Sequence, residues 1–99
     1  MNRVMVRYQV HPDRVDENCD LVRAVYAELA ETRPAGFRYS THLCDDGVTF
    51  VHLAVADGPA PLPELAAFQR FQAGIGQRCA VAPVVTTLTE IGAYVGGEP

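Results

Sequence analysis

His42 and His52 are the side chains in this chain best suited to chemistry. Imidazole titrates near neutral pH, so it can move protons or ligate a metal. Two arginines, Arg7 and Arg38, add planar, permanently charged donors that could hold a carboxylate or an enolate-like oxygen. An acid/base pair of histidines backed by two guanidinium groups is the sharpest chemical reading of these residues. The plainer reading makes the histidines satisfied members of a subunit interface and the arginines its cross-subunit ion-pair partners. A metal needs a third ligand, and Cys44 lies beyond His42 near a turn, in no known zinc spacing. The expectation is therefore no metal and no cofactor. Cys19 and Cys79 have no neighbouring histidine in sequence, so nucleophilic catalysis is a minor reading. All eight basic residues are Arg and none is Lys, which excludes a Schiff-base amine. There is no GxSxG, Walker loop, GxGxxG or HExxH.

These side chains need elements to hold them. Residues 3–10 alternate, with Val4, Val6, Tyr8 and Val10 on one face and Arg3, Met5, Arg7 and Gln9 on the other, as in a half-buried strand. Asp13 is a candidate helix N-cap, followed by Asp16 and Glu17, whose charge suits a first turn. Val15, Cys19, Val22, Val25, Tyr26 and Leu29 then form one helical stripe, and Pro34-Ala35-Gly36 stops it. Residues 37–44 and 48–56 read as a hairpin about a three-residue loop, Asp45-Asp46-Gly47. Loop length sets register, and this one places His42 opposite Phe50 and Ser40 opposite His52. Both histidines then share a face with Arg38, Ser40 and Phe50, turned away from the helices, while Phe37, Tyr39, Thr41, Leu43, Val51, Leu53 and Val55 face them. A second helix is expected over 63–78, weakened at its end by Gly74 and Gly76. Pro83 opens a last strand over 84–91 that could run on to Tyr94, and Gly96-Gly97-Glu98-Pro99 should fray.

Composition bounds the rest. Ninety-nine residues fit one domain, 1–99. A net charge of -4 with scattered arginines argues against nucleic acid. No apolar run approaches the roughly 20 residues that span a bilayer, so no membrane partner is expected. Three widely spaced cysteines are no disulfide framework, and with no signal peptide evident they point to the cytoplasm.

The order β-α-β-β-α-β defines an α+β fold of the ferredoxin-like type: a four-stranded antiparallel sheet, strand order 4-1-3-2, with two helices on one face. The other face, expected to carry Met5, Arg7, Phe50, His52 and Ala54, is too apolar for ordinary surface, so a homodimer through the open sheet face is predicted. Here the chain resembles the dimeric α/β-barrel superfamily, which includes the antibiotic-biosynthesis monooxygenase-like domains. The resemblance rests on element order, length and the amphipathic first helix, over residues 3–94. It implies a pocket between sheet and helices for an aromatic substrate or haem, near Tyr8, Tyr26, Tyr39, Phe68 and Phe71, which otherwise are plain core. It also implies a cofactor-independent monooxygenase-like or isomerase-like enzyme acting on a hydrophobic small molecule. The alternative is a non-catalytic ligand-binding or structural dimer. The haem-degrading and anthrone-oxidising members use a tryptophan and an asparagine in the pocket. This chain has no Trp, and its asparagines are Asn2 and Asn18, at the N-terminus and in the first turn of helix one.

Overall fold

Alternation along the first strand builds β1 (Asn2–Val10), the strand from which the sheet grows in both directions. The computed structural model describes residues 1–97. After β1 come α1 (Val15–Thr32), β2 (Phe37–Leu43), β3 (Thr49–Ala56), α2 (Ala66–Ala73), α3 (Ile75–Arg78) and β4 (Cys79–Thr87). The strands lie in the order β2-β3-β1-β4, as expected, with every neighbouring pair antiparallel. The helices cover one face, and the core between the layers is Tyr8, Val10, Val22, Val25, Phe50, Leu62, Leu65, Ala67 and Phe71. This is the ferredoxin-like α+β fold.

Local chemistry explains the element ends. A 3-10 turn over Pro12–Arg14 precedes α1, so Asp13 falls inside that turn and Arg14, not Asp13, is the N-cap. The helix ends at Arg33, whose left-handed φ of 48° lets its amide reach back to the Leu29 carbonyl. The second helix is shorter than expected: a 3-10 turn takes Leu62–Glu64, and Gly74 splits the remainder into α2 and α3. No side chain of its own caps α2. Glu28 of α1 does so instead, accepting from the amides of Ala67 at 2.8 Å and Ala66 at 3.3 Å.

The last strand begins and ends earlier than the sequence pattern indicates. Val10 pairs with Cys79, and a bulge around Ala82 and Pro83 lets the proline, which has no N–H, sit on an edge strand. Pairing stops after Val4 meets Thr87 and the Leu88 amide bonds the Arg3 carbonyl, because β1 begins at Asn2 and has little more to offer. Ile91, Tyr94 and Val95 are exposed beyond it. Of the tail expected to fray, Gly96 and Gly97 are exposed and in no helix or strand, while Glu98 and Pro99 lie outside the described residues.

The hairpin register departs from the expectation by one residue. Thr41 pairs with His52, His42 with Val51 and Leu43 with Phe50. Asp46 is the cause. Its carboxylate accepts from the amides of Val48 and Thr49, both at 2.9 Å, and from the Thr49 hydroxyl. That holds Val48 in the loop, while Gly47, at a φ of 77°, closes the turn onto the Cys44 carbonyl. The loop is thus Asp45-Asp46-Gly47-Val48, one residue longer, and a change of one flips β3 over. Phe50, His52, Ala54 and Ala56 lie under the helices. Val51, Leu53 and Val55 lie on the open face, beside Met5 and Arg7.

Candidate functional site

Because of that register His42 and His52 stand on opposite faces of the sheet, and the expected array of both histidines with Arg7 and Arg38 does not assemble. His42 is exposed, with Nε2 3.1 Å from the Ser40 hydroxyl. Arg7 lines a groove of about 540 Å³ on the open face, with Met5, Gln9, Asp46, Thr49 and Val84. Arg38 lines a separate groove of about 420 Å³, with Arg3, Ser40, Leu53, Val55 and Leu88. His52 alone is in the covered layer, only 4% exposed.

What surrounds His52 is a chain of polar groups running through an otherwise aromatic layer. Its Nε2 is 2.7 Å from the Tyr8 hydroxyl. Its Nδ1 is 2.8 Å from the Tyr39 hydroxyl and 2.9 Å from that of Thr41. Thr41 continues to the Tyr26 hydroxyl at 2.8 Å. In the other direction Asn18 donates from Nδ2 to the Tyr8 oxygen at 2.9 Å, and Arg78 donates from Nε to Asn18 Oδ1 at 3.0 Å. Arg78 also donates to the Phe71 carbonyl at 2.7 Å and lies over the Phe71 ring, 5.2 Å from its centroid. Asn18 and Arg78 are buried, at 0% and 1% exposure.

Burial sets the electrostatics of this chain. Desolvation, and secondarily the His42 charge, lowers the His52 pKa to about 4, so the ring is neutral at pH 7. Desolvation likewise pushes the Tyr8 and Tyr39 phenols well above their ordinary range, and Tyr26 upward. It lowers the pKa of the Arg78 guanidinium, which among the described residues has no carboxylate in hydrogen-bond contact and rests on neutral carbonyl oxygens.

Rings fill the space around His52. Tyr8 stacks on Phe50 at 5.5 Å and on His52 at 5.3 Å between centroids, and Phe71 lies 5.7 Å from the imidazole. Open space begins at the rim, where Tyr26, Tyr39, Leu29, Phe37 and Pro34 line a cavity of about 340 Å³ between the end of α1 and β2. The outer tyrosines of the polar chain therefore border solvent-accessible space, and His52 sits one hydroxyl behind them. Among the described residues no three His, Cys, Asp or Glu side chains gather as metal ligands.

The sequence reading missed Asn18, Arg78 and Thr41 as members of this site. Asn18 carried a usable signal: it lies between Val15 and Val22 at helical spacing, on the buried stripe, where an amide must find partners. Arg78 gave none, since a basic residue at a helix end reads as ordinary dipole compensation.

No protein-family model matches the chain, and no curated protein matches it at a significant level. Solved structures do. A putative antibiotic biosynthesis monooxygenase from Nitrosomonas europaea superposes with a TM-score of 0.77 at 15% identity, over 93% of this chain and 100% of that one. One from Caulobacter crescentus gives 0.70 at 21% identity, over 92% and 90%. A mutant of SnoaB, a cofactor-independent oxygenase from Streptomyces nogalater, gives 0.68 at 16% identity, over 93% and 94%. At these identities the likeness establishes the fold: the chain has the ferredoxin-like architecture of the antibiotic biosynthesis monooxygenase structures.

Proposed function

We propose that this protein is a cofactor-independent enzyme, monooxygenase-like or isomerase-like, that moves a proton on a hydrophobic small molecule. The observation that carries the reading is His52: a neutral imidazole in the covered layer, with hydroxyls on both ring nitrogens. A group held uncharged at pH 7 with a pKa below it can take up and return a proton within a preorganised hydrogen-bond chain. The rim cavity, walled mainly by aromatic and aliphatic residues, with Arg33 and two phenols also lining it, suits a hydrophobic ligand carrying an oxygen. His52 acts as the acid/base, with the Tyr39 and Tyr26 hydroxyls between it and the ligand. In the oxygenase version dioxygen is the co-substrate: one atom enters the product and the other leaves as water with two substrate hydrogens. The likeness of fold to SnoaB, described as a cofactor-independent oxygenase, supports this class.

The working unit is a homodimer joined through the open sheet face, where Met5, Val51, Leu53, Val55 and Val84 make a more apolar surface than the expected register gave. Arg7, Arg38 and His42 belong to that interface in this reading. The thiols of Cys19, Cys44 and Cys79 are free, which fits a cytoplasmic location. Among the described residues no helix is long and apolar enough to cross a membrane.

A second reading is favoured by the ring packing around His52, which leaves no open space beside it: a non-catalytic dimer whose polar chain specifies the core. A thermal-shift screen of hydrophobic phenols and enolisable ketones separates the two, since a ligand of the folded state raises the melting temperature. A hit whose effect disappears in His52→Gln supports the enzyme. A panel with no hit supports the structural dimer.

A further inference from the structure

We infer that Asn18 is a positioning residue that fixes which ring nitrogen of His52 carries the proton, acting through Tyr8. This rests on the reading of His52 as the proton-transfer group, but its own test does not require turnover. A guanidinium only donates, so the amide atom facing Arg78 Nε at 3.0 Å must be the Asn18 oxygen. The other end of the amide, an NH₂, therefore faces Tyr8 and donates to its oxygen at 2.9 Å. Tyr8 is buried, and among the described residues the one remaining partner for its own O–H is His52 Nε2 at 2.7 Å. A buried hydroxyl proton left unpaired is costly. Nε2 must then be the bare, accepting nitrogen, and Nδ1 carries the hydrogen, which it donates to Thr41 and Tyr39.

Every donor in the chain thus points outward from the buried cation: Arg78 to Asn18, Asn18 to Tyr8, Tyr8 to His52, His52 to the rim hydroxyls. With its oxygen accepting from Nδ1–H, the Tyr39 hydroxyl can turn its proton toward a ligand in the rim cavity, and Thr41, accepting likewise, passes its proton to the Tyr26 oxygen, which leaves the Tyr26 O–H to do the same. The resting site is thereby set to donate to a ligand oxygen, such as a carbonyl becoming an enolate.

Asn18→Asp reverses the arrangement without changing shape. A carboxylate beside Arg78 has no hydrogen to give and must accept the Tyr8 proton, so the Tyr8 oxygen accepts from Nε2–H, and Nδ1 accepts from the rim hydroxyls. The experiment is ¹⁵N NMR of the histidine ring nitrogens in wild type and Asn18→Asp at pH 7, where His52 is neutral. The wild type is expected to show His52 with Nδ1 protonated, and the variant to show Nε2 protonated as the major form. An Nε2–H wild type, or a variant that keeps Nδ1–H, overturns the inference. The wild-type spectrum decides alone if the variant does not fold. A wild type with Nδ1–H that binds no ligand in the screen leaves this inference standing and removes the enzymatic reading.

Discussion

Tyr8 and His52 lie on adjacent strands, and the phenol oxygen of one meets Nε2 of the other at 2.7 Å in a layer from which water is excluded. That contact ties the centre of the sheet to the first helix through Asn18 and to the last helical turn through Arg78. Burial of the imidazole in that layer also makes the protein's stability depend on pH in a definite direction.

His52 has a folded pKa of about 4 against 6.5 for a free imidazole. Between these values the unfolded chain holds the extra proton, so stability is full above pH 6.5 and declines as pH falls toward 4. The displacement corresponds to a loss on the order of 3 kcal/mol across that window. Urea unfolding at intervals from pH 4.5 to 8 should show the slope, and His52→Gln should flatten it. An equal slope in both proteins would assign the acid sensitivity to other groups.

Glu28→Ala should cost about 0.5–2 kcal/mol, the usual loss on removing a cap, although Glu28 lies on a different helix from the one it caps. Its two carboxylate oxygens serve the Ala66 and Ala67 amides, and its charge faces the positive end of α2. Hydrogen exchange should quicken at those two amides first. Uniform loss of protection across the chain would mean that the cap is not local.

Asp46→Ala should lower the melting temperature, because three donors in the turn lose the carboxylate that accepts from them. The Asp46 carboxyl is held below its ordinary range first by the Thr49 hydroxyl and then by the Val48 and Thr49 amides. Asp46→Asn, which keeps one oxygen, should recover part of the loss. Equal melting temperatures for wild type and Asp46→Ala would show that the backbone alone holds the longer loop.

Leu53→Arg should convert the proposed dimer to a monomer while leaving the monomer folded. Leu53 is 36% exposed on the open face, between the half-buried Val51 and Val55 along the strand, and carries no role in the covered layer. Light scattering should read a mass near 10.8 kDa for the variant and twice that for wild type. A wild-type monomer at micromolar concentration would remove the dimer, and with it the explanation for the apolar open face.

The sequence by itself determined the element order, the strand order, the helical stripe of α1 and the core placement of Tyr8 and Phe71. These follow from periodicity within single elements and from chirality rules that need no distant contact. It also marked His52 as a residue of interest. What only the tertiary structure decided is which way His52 faces. Both sides of β3 carry apolar residues, so alternation could not choose between Phe50-His52-Ala54 and Val51-Leu53-Val55. The choice went to one carboxylate in the turn, which held Val48 out of the ladder. The same limit hid the polar chain. Asn18, Tyr8, His52 and Arg78 lie on four different elements, far apart in sequence. Each is unremarkable on its own element, and they become a site only where the packed layers bring donor to acceptor and exclude the water that would otherwise satisfy them.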